Sequence, residues 1–140
     1  MKPQIFALIT AIAWGVGGYF EKKGLHYAHI SPELGITIRT FVALIILSIA
    51  SYKHWHKLLS TDAKSILYIV IGGGIVAGSL GMLSFYKAIK GAPLNQVMPI
   101  AFTSPLFGAL MGIIYSSETL TLKNAIGAIL SIAGIIILTV

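Results

Sequence analysis

Residues 65–86 read SILYIVIGGGIVAGSLGMLSFY, twenty-two positions with no charged side chain. A helix needs about 20 mostly apolar residues to cross ~30 Å of hydrocarbon, so this stretch alone spans a bilayer. Residues 5–20, 40–52, 91–117 and 124–140 are also uncharged, and the five stretches fill most of the 140 residues. A soluble domain of that size has no interior for so much apolar surface. The fold class is therefore an all-α integral membrane protein with five transmembrane helices. The spans are placed at residues 3–22, 33–52, 65–86, 94–116 and 124–140. They form one transmembrane domain over residues 1–140, multi-pass, in the inner or plasma membrane of the cell.

Composition agrees with this reading. Apolar residues make up 56% and charged residues 10%, against roughly 25% charged in soluble domains. The connectors are too short to hold a second domain. There is no cysteine, which excludes a disulfide framework, thiolate chemistry and a cysteine metal site. The net charge of +6 would suggest nucleic acid in a soluble protein. Here the basic residues sit at span ends, where they meet lipid headgroups, so no nucleic-acid partner is implied. Met1-Lys2-Pro3 followed by an apolar run has the outline of a signal peptide. No small-residue cleavage site precedes Glu21-Lys22-Lys23, and the run is read as a retained first span.

Local signals punctuate the ladder. Pro3 suits a helix start, where its missing N–H costs nothing. Ser31-Pro32-Glu33 opens the second span, with Ser31 as cap and Glu33 at the positive end of the helix dipole. Only thirteen uncharged residues follow Arg39 in that span, so Arg39 is drawn into or near the membrane. Gly91-Ala92-Pro93 separates the third span from the fourth.

An odd number of spans puts the termini on opposite sides. Lys2, Lys53, Lys57, Lys64 and Lys123 fall on the N-terminal side, and Lys22, Lys23, Arg39, Lys87 and Lys90 on the other, five against five. The positive-inside bias therefore selects no orientation. Such a tie is what a dual-topology chain shows, and also what chance gives with ten basic residues.

Polar and unusual residues within the spans are the candidate site. Arg39, the only arginine, lies ~9 Å along its helix from Glu33 at ~1.5 Å per residue. It either binds a substrate carboxylate or phosphate through its planar fork, or snorkels to the headgroups, or pairs with Glu33. Trp14 lies mid-span, away from the interfacial belt, and either lines a cavity or packs in the core; Tyr86 has the same two readings. Pro99 and Pro105 interrupt the fourth span beside Asn95, Gln96, Thr103 and Ser104. That cluster reads as a polar cavity lining, with a static kink satisfied by Ser and Thr as the alternative. Gly72-Gly73-Gly74 is either a hinge or a tight packing surface. Gly127, Ser131 and Gly134 form a small-residue stripe on the last span, suited to close helix contact.

The chain implies no cofactor. The carboxylates Glu21, Glu33, Asp62 and Glu118 all fall at or near span ends, and proton coupling through Glu21 would need a deep vestibule there. His26 and His29 with Glu33, and His54 with His56, read as solvated histidines rather than a metal site. Nothing resembles a nucleotide loop or a nucleophile and base, so an enzyme is not implied.

The order of motifs resembles an EamA-type domain, the five-helix repeat of the drug/metabolite transporter superfamily. In the first half these are Trp14-Gly15, Lys23, Ser31-Pro32 and Arg39. In the second they are Tyr86, Ala88, Gly91-Ala92-Pro93, Pro99, Ser104-Pro105-Leu106, Gly112, Glu118, Leu120, Gly127-Ala128 and Gly134. Members with two inverted copies place the substrate between them, near the bilayer midplane; this chain resembles one copy. The resemblance implies secondary transport of a small polar metabolite by alternating access. It also implies a homodimer, antiparallel if the ten-helix arrangement is to be restored. The cavity would be lined by Trp14, Arg39, Tyr86, Asn95, Pro99 and Ser104. The last helix is the dimer contact, as in the related small multidrug resistance transporters. Those proteins carry a glutamate in the middle of the first helix, where this chain has Ile12-Ala13-Trp14-Gly15, which argues against their cation/proton exchange. The alternative is a non-transporting accessory or heterodimer subunit of a larger transport complex.

Overall fold

A computed structural model describes residues 2–116, 119 and 121–139, without the side chains of Ser116 and Thr139. Glu118 and Leu120 of the sequence reading lie outside the described residues. The described chain is all-helical. In order it forms α1 (Pro3–Tyr27), α2 (Pro32–Ser51), a 3-10 segment (Tyr52–Ser60) and α3 (Ala63–Tyr68). A π-helical segment (Ile69–Gly81), α4 (Met82–Gly91), α5 (Leu94–Ala101), α6 (Ser104–Ser116) and α7 (Leu122–Thr139) follow.

Among the described residues, four helical runs are long and apolar enough to cross a membrane: Pro3–Tyr27, Pro32–Ser60, Ala63–Gly91 and Leu94–Tyr115. Leu122–Leu138 is a shorter apolar helix. Large apolar side chains such as Phe6, Leu8, Phe41, Leu47, Ile49 and Ile137 are more than half exposed. In water that much apolar surface would drive aggregation; in a bilayer it is the lipid-facing surface.

The helix ends follow local chemistry. The Leu34 amide donates to Ser31 Oγ at 3.2 Å, so Ser31 caps α2 with Pro32 and Glu33 in its first turn. Asp62 caps α3 in the same way, accepting from the Ser65 amide at 3.2 Å. The turn after α1 carries His29 at φ 50°. The ammonium of Lys90, on α4, donates to the Ile30 carbonyl at 2.9 Å and holds that turn from a distant part of the chain.

The third run departs from a plain α-helix. Five of the thirteen residues of Ile69–Gly81 are glycine, each weakening an α-helix by about 1 kcal/mol relative to alanine. The wider π turn also needs room: a Cβ on Gly78 would stand 2.7 Å from the Gly73 carbonyl oxygen. The Ser79 hydroxyl donates to the Gly74 carbonyl, five residues back, at 2.9 Å. Such π segments are rare and concentrate at functional sites.

Two compact units divide the chain, Met1–Gly91 and Ala92–Val140. In the first, α1, α2 and α4 pack against one another around Leu25, Tyr86 and Ile89, each at most 2% exposed. Gly35 permits the close approach: a Cβ there would lie 2.8 Å from Leu25 Cδ2 and 3.0 Å from Tyr86 Cε1. In the second unit α5 packs on α7. The apolar run 94–115 breaks at Phe102-Thr103, between Pro99 and Pro105. There the Phe102 amide reaches the Met98 carbonyl at 2.9 Å, the Thr103 amide the Ile100 carbonyl at 3.1 Å, and the Thr103 hydroxyl the same carbonyl at 2.8 Å. The break thus has the hydroxyl satisfaction that a kink at membrane depth requires.

Candidate functional site

Three side chains from three spans meet at one level of the first unit. Arg39 on α2 directs its Nε to Glu21 Oε1 on α1 at 2.8 Å. The Tyr86 hydroxyl, on α4, interacts with the same Glu21 carboxylate and with Arg39. Depth explains the meeting. Glu21 stands six residues before the end of α1, Arg39 seven after the start of α2, and Tyr86 five before the end of α4. At ~1.5 Å per residue these are ~7–11 Å from the same end of the helices. A charge at such depth is expensive unless paired, and the arginine is paired with Glu21 rather than with Glu33. Glu33 lies near Lys87 instead, at 3.7 Å and with both side chains more than half exposed. An exposed pair at that distance is worth little.

Arg39 also lines an open cavity of about 690 Å³. From α2 the walls are Glu33, Ile36, Thr37, Thr40, Phe41 and Leu44; from the π segment they are Gly73, Gly74, Gly78 and Ser79, with Leu83 from α4. This volume suits a small ligand, and apolar walls with few polar groups are typical of such sites. The Thr37 hydroxyl is engaged with the Glu33 carbonyl at 2.9 Å, as is Ser79 with Gly74, so Arg39 and Glu33 are the strong polar groups of the wall. The glycines leave one wall as bare backbone. No neighbour lies within 4 Å of a Cβ on Gly72, Gly73 or Gly74, so the triplet is not packed under a bulky side chain.

The remaining candidates distribute as follows. Trp14 lies on α1, 53% exposed, and is not among the residues lining this cavity. Tyr86 is buried beneath Gly35 rather than in the cavity wall. Asn95 and Pro99 on α5 and Ser104 at the start of α6 belong to the second unit. On α7, Gly127, Ser131 and Gly134 are exposed and share a face by their spacing. The Ser131 hydroxyl donates to the Gly127 carbonyl at 2.8 Å, leaving a small, smooth stripe. Sequence reasoning passed over Glu21 as the partner of Arg39, and Thr37, Thr40, Ser79 and Leu83 as cavity lining. Counting residues from the shared helix ends finds the first. The periodic stripe Glu33, Thr37, Thr40, Leu44 along α2 finds two of the others.

A profile of the EamA-like transporter family matches residues 1–140, the whole chain. The chain belongs to the EamA-like transporter family. An uncharacterized protein of Methanocaldococcus jannaschii is 29% identical over 97% of this chain and 95% of its own length. An uncharacterized transporter of Sinorhizobium sp. is 27% identical over 98% of this chain and 96% of its own length. An uncharacterized transporter of Archaeoglobus fulgidus is also 27% identical, over 95% of this chain but 45% of its own length. One EamA unit thus matches whole relatives of its own size and about half of a longer one. No solved structure matches the chain. The EamA chain is a multi-pass membrane transporter, with a small molecule as cargo and lipid as its surroundings.

Proposed function

We propose that this EamA chain is a secondary transporter that moves a small polar metabolite by alternating access, in the inner or plasma membrane, as an antiparallel homodimer. The observation that carries the reading is the cavity of about 690 Å³ between α2 and the π segment with Arg39 in its wall. A paired arginine at membrane depth beside an open cavity is a substrate group by its chemistry. The π segment and Gly72-Gly73-Gly74 act as the hinge, since bare backbone and a weakened α preference permit local rewinding. The dimer is supported by the match of residues 1–140 to one EamA unit, whose relatives pair inverted copies, and by the even charge count. Gly127, Ser131 and Gly134 of α7 form its contact. On this reading Trp14 and Tyr86 join Arg39 as substrate-contacting residues of the first unit, and Asn95, Pro99 and Ser104 are the substrate-contacting residues of the second.

The test is reconstitution. Vesicles containing only the purified chain are offered a defined mixture of amino acids, organic acids and nucleosides, and their contents are analysed by mass spectrometry. Selective accumulation that is lost in Arg39→Lys supports the reading. No accumulation above protein-free vesicles contradicts it and favours an accessory subunit that needs a second chain.

A further inference from the structure

Arg39 stands between two claimants. Its Nε is held by Glu21 at 2.8 Å. Arg39 also lines the cavity, and Glu21 does not. We propose that Glu21 is a built-in placeholder for an anionic substrate, and that an anion entering the cavity takes Arg39 from Glu21, which then binds a proton. This rests on the reading of Arg39 as the substrate group and deepens it: the cargo is a carboxylate or phosphate monoanion with an apolar body, moved together with a proton.

Charge balance drives the exchange. In the empty site Glu21 and Arg39 cancel. When an anion pairs with Arg39, Glu21 loses its cation at a depth where an unpaired charge is costly, and neutralising it by protonation is the cheaper outcome. The proton comes from water: the carboxylate and hydronium become the carboxylic acid and water, and no other bond changes. The loaded site, with neutral Glu21, cationic Arg39 and the anion, has the same net charge as the empty one. A carrier that must reorient across hydrocarbon then carries no extra charge in either state.

Other charged and titratable groups surround Glu21, with Lys22 next to it in the chain. Tyr86 is the facing group on α4. Lys87 lies beside Glu33, and Lys90 is committed to the Ile30 carbonyl. On α1 itself, Lys23 lies over the Tyr19 and Tyr27 rings, 5.9 and 5.5 Å from their centroids. The apolar walls, with Ile36, Phe41, Leu44 and Leu83, accept the hydrophobic body of the anion.

Isothermal titration calorimetry of the purified full chain with phenylacetate, in two buffers of different ionisation enthalpy, reads both binding and proton uptake. Phenylacetamide is the uncharged control, and nanodiscs with and without phosphatidylglycerol separate a free anion from a lipid headgroup as occupant. The proposal expects phenylacetate to bind with uptake of about one proton at neutral pH, as linkage requires, and phenylacetamide not to bind. Glu21→Gln should tighten phenylacetate by ~10-fold or more and abolish the uptake, and Arg39→Lys should weaken it by ~10-fold. Phosphatidylglycerol should leave the affinity unchanged; competition from it would make the lipid headgroup the occupant and overturn the assignment to a soluble cargo. Binding that needs Arg39 but takes up no proton overturns the exchange and leaves the site. Binding indifferent to Arg39→Lys, or no binding, overturns both. The wild-type proton count needs no variant, so poor folding of Glu21→Gln does not mask the result.

Discussion

Arg39 Nε lies 2.8 Å from Glu21 Oε1, and this contact fastens α2 to α1 within two helical runs long and apolar enough to cross a membrane. A charge pair there is a structural fastening and a functional weakness together. Half-burial limits its strength, because Arg39 is 39% exposed at its side chain and Glu21 20%.

Removing either partner strands the other. Arg39→Gln and Glu21→Gln should each destabilise the protein by about 1–3 kcal/mol, and the double variant should cost clearly less than the sum. Thermal unfolding of the four proteins in one detergent measures this cycle. Strictly additive losses would show that the pair carries no coupling.

Gly35 is a packing requirement. A methyl group at that position would stand 2.8 Å from Leu25 Cδ2 and 3.0 Å from Tyr86 Cε1, so Gly35→Ala should cost about 1–3 kcal/mol by overpacking. Leu25→Ala in the same chain should recover part of the loss, because the nearest clashing atom is gone. The melting temperatures of the single and double variants decide it, and a neutral Gly35→Ala would show that the helices separate easily.

Gly78 tests the π segment. A Cβ there would meet the Gly73 carbonyl at 2.7 Å, a backbone atom that cannot step aside, while alanine favours an α-helix by about 1 kcal/mol. Gly78→Ala should therefore hold the segment in α-form, preserving folding while lowering uptake by ~10-fold or more. Gly72→Ala, with nothing within 4 Å of its Cβ, is the comparison for folding. Equal uptake by Gly78→Ala and the parent chain would remove the π segment from the mechanism.

The α7 stripe predicts a dimer contact. Leucine in place of Gly127 or Ser131 fills the surface that lets two helix backbones approach. Either change should weaken self-association by ~10-fold, read from cross-linking yield in membranes at varied dilution. Unchanged cross-linking would move the interface elsewhere.

The helical ladder was readable because membrane crossing demands long uncharged runs, and residues 65–86 leave no other reading. The cap at Ser31 was readable from residue type at a helix start, whereas Asp62 stood out only as a charge in a connector. Charge partnership was less legible. Glu33 shares a helix with Arg39 and drew attention, whereas Glu21 is remote in sequence and meets Arg39 only because α1 and α2 run antiparallel from a short turn. The π segment was visible only as a glycine-rich anomaly, because periodicity signals α-helix and carries no mark for a wider turn. Gly35 gave no signal at all, since its need arises from Tyr86, which enters from a later helix.

Orientation is the central claim, because an antiparallel pair requires both insertions of one chain. The chain has no cysteine, so single cysteines at residue 2 and in a C-terminal extension label without background in intact cells. The account predicts that each site reacts with impermeant reagent from both sides in similar amounts. Labelling of each site from one side only would contradict it.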